Sequence, residues 1–159
     1  MPQATIEVGK KAPAFTLPNQ DGEKVALKDL KGKWVVLYFY PRDDTPGCTV
    51  EACDFTAGIK QFQKLDAVVL GCSPDSPATH KKFQTKHKLK VTLLADEKKS
   101  VLTKYGAWGD KKMYGKVRQG VIRSTVVIDP NGKVAHHFPN VRAKGHADKV
   151  RELLSELRG

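Results

Sequence analysis

The stretch from Val35 to Phe55, VVLYFYPRDDTPGCTVEACDF, constrains this chain more than any other. Trp34 to Tyr40 is a run of β-branched and aromatic residues and reads as a buried strand, stopped at Pro41. A short polar turn, Arg42-Asp43-Asp44-Thr45-Pro46-Gly47, leads to Cys48 in the first turn of a helix. Ala52, Phe55, Ile59 and Phe62 then recur at helical spacing, so one helix is expected to run to near Leu65. A strand that feeds a tight loop and a helix aims the helix N-terminus, with its unpaired N–H groups and partial positive charge, over the sheet edge. An ionised sulfur is favoured there, and a thiol pKa of ~8.5 falls to roughly 3.5–7.5 at such positions. Cys48 is therefore a candidate reactive thiolate. The bland alternative is a small buried apolar residue.

The neighbours of Cys48 decide between these readings. Thr45, on the same turn, places a hydroxyl where it can donate to the sulfur or to an oxygen of a bound substrate. Pro41 has no N–H and a fixed φ, and can shield a thiolate from water. A second thiol, Cys53, follows in the same helix. The pattern Pro41-x-x-x-Thr45-x-x-Cys48, with Glu51 and Cys53 after it, resembles the peroxiredoxins. The string TPGCTVEACDF is similar to the bacterioferritin-comigratory-protein and peroxiredoxin Q group in particular. The similarity runs from Gly9 onward through KAPAFTLPNQDG, VVLGCSPDS, LLADEKKSVLTKYG and GVIRSTVVIDPNGKV.

That resemblance implies a thiol peroxidase. Cys48 would attack hydrogen peroxide or an organic hydroperoxide and become a sulfenic acid. Cys53 would resolve it as an intramolecular disulfide, and thioredoxin or a similar dithiol protein would reduce the disulfide. It implies no metal and no organic cofactor. Arg123, in GVIRSTVVID, matches the family's arginine on a late strand beside the reactive sulfur, and Glu51 matches a position that steadies this arginine. From the residues alone, Arg123 within a β-branched strand must find a partner or face outward, and Glu51 is equally an exposed first-turn acid complementing the helix dipole. Cys72 departs from the group's usual apolar residue and leaves open which thiol resolves Cys48. It reads first as a buried strand-end thiol.

The remaining chain alternates strands and helices. Phe15–Leu17 and Val25–Leu27 flank Asn19-Gln20-Asp21-Gly22, a hairpin signal. Strands are expected at Ala67–Gly71, Val91–Leu94, Val121–Asp129 and Lys133–Phe138, the last two joined by Pro130-Asn131-Gly132. Ser76 and Pro77 mark the start of a polar helix through His87. A short helix over Asp96–Tyr105 turns Val101, Leu102 and Tyr105 inward. Ala107–Gln119, containing Trp108 and Tyr114, reads as a Gly- and Lys-rich connection. Ala147, Val150, Leu154 and Leu157 make the face of a terminal helix. This order predicts an α/β protein with a central mixed sheet, helices on both faces and an N-terminal hairpin, and the resemblance implies a thioredoxin-like fold. Its 159 residues suit one domain over 1–159.

Three cysteines are too few for an extracellular disulfide framework and point to thiol chemistry in a reducing compartment. A cytoplasmic location is expected, or an organelle stroma if a transit peptide has been removed, since the first residues carry no apolar signal core. No stretch has the apolar length of a membrane span. The net charge of +11 is spread along the chain without a nucleic-acid-binding motif, so at most weak nonspecific nucleic acid binding is expected. The charge also opposes self-association, and a monomer is expected. His80, His87 and His146 sit in polar context and His136-His137 point to opposite faces of a strand, so the five histidines suggest no shared site. A zinc site using Cys48, Cys53 and a histidine lacks a second paired cluster. The rival function is a basic thioredoxin-fold protein that binds nucleic acid or a protein partner without turnover.

Overall fold

The computed structural model describes residues 6–113 and 115–158. Its centre is a five-stranded mixed sheet built on β3 (Trp34–Phe39). On one side β3 pairs in parallel with β4 (Ala67–Ser73), which pairs in parallel with β5 (Thr92–Ala95). On the other side it pairs antiparallel with β8 (Ser124–Ile128), which pairs antiparallel with β9 (Val134–Phe138). All residues of β3 beyond Trp34 are buried, as expected for a central strand covered on both faces. The early hairpin forms as read, with β1 (Thr16–Pro18) against β2 (Lys24–Ala26). The Asn19 Oδ1 accepts from the N–H groups of Asp21 and Glu23 and closes its turn.

The sheet divides the core in two. Val35, Leu37 and Phe39 face one side with Phe15, Leu17, Leu70, Cys72 and Tyr105. This side is capped by the β1–β2 hairpin and by α4 (Ser100–Lys104). Val36, Tyr38 and Tyr40 face the other with Cys48, Phe55, Phe62, Phe83 and Val150. That side is covered by α1 (Pro46–Ala57), α2 (Ile59–Lys64), α3 (Pro77–His87) and α5 (His146–Arg158). Helices thus lie on both faces, and the Ser76 side chain caps α3 by accepting from the Thr79 N–H.

Four local expectations need correction. The helix after Cys48 is two helices, because Gly58, a poor helix former, interrupts it and serves as the end of α1 and the start of α2. Ala107–Gln119 is no irregular connection: β6 (Trp108–Met113) and β7 (Lys116–Val121) form an antiparallel hairpin turning around Gly115 at positive φ. Tyr114 lies outside the described residues. The strand expected over Val121–Asp129 is split, since Val121 ends β7 opposite Trp108 while β8 starts only at Ser124. Finally, Leu157 is exposed, and Ala147, Val150 and Leu154 carry the inner face of α5 with His146, with Leu153 packed partly against the same core.

One close approach requires a glycine on β4. Tyr38 lies over its β4 neighbour Gly71, where a Cβ would sit 2.7 Å from the Tyr38 Cζ and 3.1 Å from Leu93 Cδ2. The tyrosine ring is fully buried and stacks on Phe55 at 4.6 Å, so it has nowhere to go. Gly71→Ala is expected to destabilise the fold by about 1–3 kcal/mol, the usual cost of overpacking. Urea denaturation under reducing conditions measures it, and a Val68→Ala variant on the same strand serves as the mild control.

Candidate active site

The C-terminal end of β3 and the start of β8 are neighbours, with Phe39 opposite Ser124. The chain leaves β3 at Tyr40 and turns through Pro41–Thr45 into α1, while Arg123 immediately precedes β8. Two segments far apart in sequence therefore meet at one end of the sheet. The strand break described above is what frees Arg123. Residues Ile122 and Arg123 bridge two sheets, held by Ile122 N–H to the Ala107 carbonyl (2.7 Å) and by Val141 N–H to the Arg123 carbonyl (2.9 Å). The guanidinium is then aimed at α1 and has only 17% side-chain exposure.

On α1 the buried positions are Cys48, Glu51, Ala52 and Phe55, one stripe at i, i+3, i+4 and i+7. Ala52 and Phe55 anchor the helix, while Cys48 in its first turn and Glu51 in its second carry the polar contacts. Arg123 Nη1 donates to Glu51 Oε1 at 2.6 Å, and Nη2 donates to Cys48 Sγ at 3.3 Å. Gly47 leaves room for this approach, because a Cβ there would lie 3.2 Å from Nη2 and press the guanidinium aside. The structure brings Arg123, Glu51 and Cys48 together, and neither Arg123 nor Glu51 faces outward. Arg123 also lines a groove of about 520 Å³ together with Asp110, Lys111, Ile122, Asn140 and Val141.

The other expected residues are arranged differently. The Thr45 hydroxyl donates to the Arg42 carbonyl at 2.9 Å, not to the sulfur, and closes the loop before α1. Pro41 is half-buried where β3 ends. Cys53 lies off the buried stripe and is half-buried, with its pKa raised by burial and by Asp54. Cys72 is fully buried on β4 and packs in the opposite half of the core from Cys48. Burial, and then Asp96, pushes its thiol well above the usual range. The three thiols are free.

Sequence reasoning missed the polar interior next to this loop. His80 and His146, read as polar-context histidines, are both buried. His146 Nε2 lies 2.7 Å from Thr125 Oγ1, and burial, then Lys149 and Arg123, lowers its pKa to about 4. His80 contacts Asp43 at 2.6 Å. The available signal was spacing: His80 shares a helical face with Phe83, three residues on, and that face is the core face of α3.

Glu51 is completely buried, and its Oε2 is one of the buried polar atoms without a partner among the described residues. Burial pushes its pKa up to about 7, against the pull of Arg123. For Arg123, burial opposes the charge, but Glu51 and Cys48 outweigh it and hold the pKa above the usual value. The pair is thus fully ionic only above about pH 7. Because the folded state binds the Glu51 proton more tightly than an unfolded chain does, this group stabilises most below its ordinary pKa of 4.5. Its contribution falls as pH rises toward about 7 and is flat beyond. His146 slopes the opposite way over a similar window, so the total profile hides both. The stability of wild type minus that of Glu51→Gln is expected to fall by on the order of 3 kcal/mol between pH 4.5 and 7. Urea titrations at several pH values measure the difference, and a flat difference overturns the assignment.

Comparison with known proteins gives the family of this chain. The pattern of the AhpC/TSA family matches residues 8–137. A Helicobacter pylori relative of the bcp peroxiredoxin name is 52% identical over 94% of this chain and 98% of its own. Peroxiredoxin Bcp of Bacillus subtilis is 44% identical over 96% of this chain and 98% of its own. The bacterioferritin comigratory protein of Xanthomonas campestris, solved in a study of its alkyl peroxide reduction activity, is similar at a TM-score of 0.90 and 34% identity. That similarity covers 96% of this chain and 100% of the other. A sulfur and a guanidinium set together at one end of the sheet, in a chain similar to these proteins over nearly its whole length, make it a member of the AhpC/TSA family, on the Bcp and peroxiredoxin Q branch of the peroxiredoxins.

Proposed function

We propose that this protein is a thiol peroxidase acting through Cys48 on hydrogen peroxide and organic hydroperoxides. The observation that carries the reading is the Arg123 guanidinium bonded at once to Glu51 and to the Cys48 sulfur. The Cys48 thiolate attacks one peroxide oxygen; the O–O bond breaks, an S–O bond forms, and the departing alkoxide or hydroxide takes up a proton. Sulfur is oxidised by two electrons and the peroxide is reduced to alcohol or water. Arg123 and the N–H groups at the start of α1 stabilise charge on the reacting oxygens, with the guanidinium's donor fork suited to orienting them. Pro41 shields the thiolate. The Thr45 hydroxyl, now on the Arg42 carbonyl, is positioned to turn toward a bound peroxide. The groove beside Arg123 takes the organic part of a hydroperoxide.

Cys53 then attacks the sulfenic acid, giving a Cys48–Cys53 disulfide and water, and a dithiol protein of the thioredoxin type restores both thiols. The protein works as one domain and a monomer in the cytoplasm. Among the described residues no helix is long and apolar enough to cross a membrane. Nothing observed favours the rival reading of a binding protein without turnover. Peroxide consumption with a dithiol donor tests both: Cys48→Ser is expected to abolish it, and Arg123→Ala to lower the rate of Cys48 oxidation by roughly 10²–10³. A wild type without peroxide turnover overturns the peroxidase.

The resolving step requires a change of shape. Residues five apart on a helix are ~7.5 Å apart along the axis and about 140° around it, so their Cα atoms are roughly 8–9 Å apart. A disulfide wants about 4.4–6.8 Å. Cys48 and Cys53 both lie within intact α1, so its first turns must unwind on oxidation. Gly47 and Thr49 are weak helix formers and a helix end opens readily. Circular dichroism is expected to show lower helicity after one equivalent of peroxide, with the bond mapped by mass spectrometry to Cys48 and Cys53. A bond to Cys72 with helicity retained overturns the assignment of Cys53. Light scattering is expected to give an active monomer throughout.

A further inference from the structure

The loop that precedes Cys48 is tied to α3 by a buried polar cluster that the reaction described above does not use. The Tyr40 hydroxyl donates to Asp43 Oδ1 at 2.6 Å. Asp43 Oδ2 lies 2.6 Å from His80 Nδ1, and His80 Nε2 lies 2.9 Å from the Leu94 carbonyl oxygen. A carbonyl can only accept, so Nε2 carries a hydrogen, and one further proton is shared between Nδ1 and Asp43. The Asp43 backbone is fixed separately: its N–H donates to Asp75 Oδ2 at 2.8 Å, and the Ser73 hydroxyl donates to the same oxygen at 2.7 Å. The ligand-type atoms of Asp43, Asp75 and His80 lie within 4.8 Å of one another, yet each already has protein partners, so the cluster is a hydrogen-bonded clasp and not a cation site. Outside it, Asp44, at φ +61°, accepts from Lys86 Nζ (2.7 Å) and from His87 Nε2 (2.9 Å). Two consecutive loop carboxylates therefore engage His80 and His87, seven residues apart on one face of α3.

We propose that His80 and Asp43 are positioning residues for the peroxidase reaction. They lock the Arg42–Thr45 loop onto α3, and so fix the Thr45 hydroxyl and the start of α1 relative to the Cys48 sulfur. This rests on the peroxidase reading of Cys48. The physical reason is the direction of constraint. Pro41 and Thr45 bracket the loop, the Thr45 hydroxyl is bonded within it, and the Thr49 N–H bonds the Thr45 carbonyl. Any drift of Asp43 is passed along three residues to the first turn of α1. The clasp also gives the unwinding of α1 a fixed point, confining it to the segment after Thr45.

Two rates separate positioning from a merely structural role. Peroxide oxidation of Cys48 depends on groups placed around the peroxide, whereas alkylation by iodoacetamide at high pH depends on the thiolate and its access. In Asp43→Ala the ratio of peroxide rate to alkylation rate is expected to fall about tenfold or more. Asp43→Asn keeps the bonds, because its amide can donate to His80 Nδ1 while its oxygen accepts from Tyr40. Its ratio is expected to stay within about threefold of wild type. If Asp43→Ala does not fold, Asp75→Ala, which removes the acceptor shared by the Asp43 N–H and the Ser73 hydroxyl but leaves the Tyr40–Asp43–His80 contacts in place, is expected to lower the ratio by about threefold. An unchanged ratio in a folded Asp43→Ala or Asp75→Ala protein overturns the proposal. So does an Asp43→Asn protein as impaired as Asp43→Ala. A wild type that alkylates at Cys48 but does not react with peroxide instead removes the peroxidase reading itself.

Discussion

Everything at this site depends on Arg123 being held between a carboxylate and a sulfur in a place water barely reaches. A fully buried Glu51 would be costly by itself, and the 2.6 Å bond from Nη1 is what makes its burial tolerable. Glu51 in turn leaves Arg123 one orientation, so that Nη2 points at Cys48. Removing either partner would strand the other, which is the ordinary behaviour of a buried ion pair. The pair is a device for geometry more than for net stability.

The sheet supplies that geometry. β3 is central, so its C-terminal end is held by a neighbouring strand on each side. The loop to α1 starts there, and the antiparallel partner β8 starts opposite. A crossing from the β6–β7 hairpin into β8 is what carries Arg123 past α1. A regular strand from Val121 to Asp129 would instead have laid Arg123 into the ladder, alternating across the sheet with its neighbours. The break that spoiled the sequence pattern is the feature that makes the site.

The alternation of strands and helices, the central strand, the capped start of α3 and the stripe on α1 were legible, because each rests on local periodicity and local turn chemistry. Cys48, Glu51 and Arg123 could be named from the motif and the family resemblance, though no periodicity showed that Arg123 leaves its strand. The β6–β7 hairpin was misread because Lys111, Lys112, Lys116 and Arg118 mask any apolar alternation, and its pairing is stabilised by backbone bonds that leave no trace in composition. His80 and Asp43 were invisible for a different reason. Their burial depends on meeting each other across 37 residues, and a lone polar side chain reads as exposed until its partner is known.

The division of the core by the sheet also sorts the thiols. Cys48 and Cys53 belong to the helix-covered side, while Cys72 is sealed on the other with Phe39, Leu94 and Tyr105. Burial disfavours the Cys72 thiolate, and it is the thiolate that reacts with peroxides and disulfides. To reach Cys48, Cys72 would have to pass through β3 or β4, and each is bonded on both edges. Cys53 needs only the first turns of one helix to open. The cost of bringing each thiol to a Cys48 sulfenic acid therefore differs by the difference between fraying a helix end and breaking a central sheet. That difference favours Cys53 as the resolving thiol without any appeal to its position in a motif.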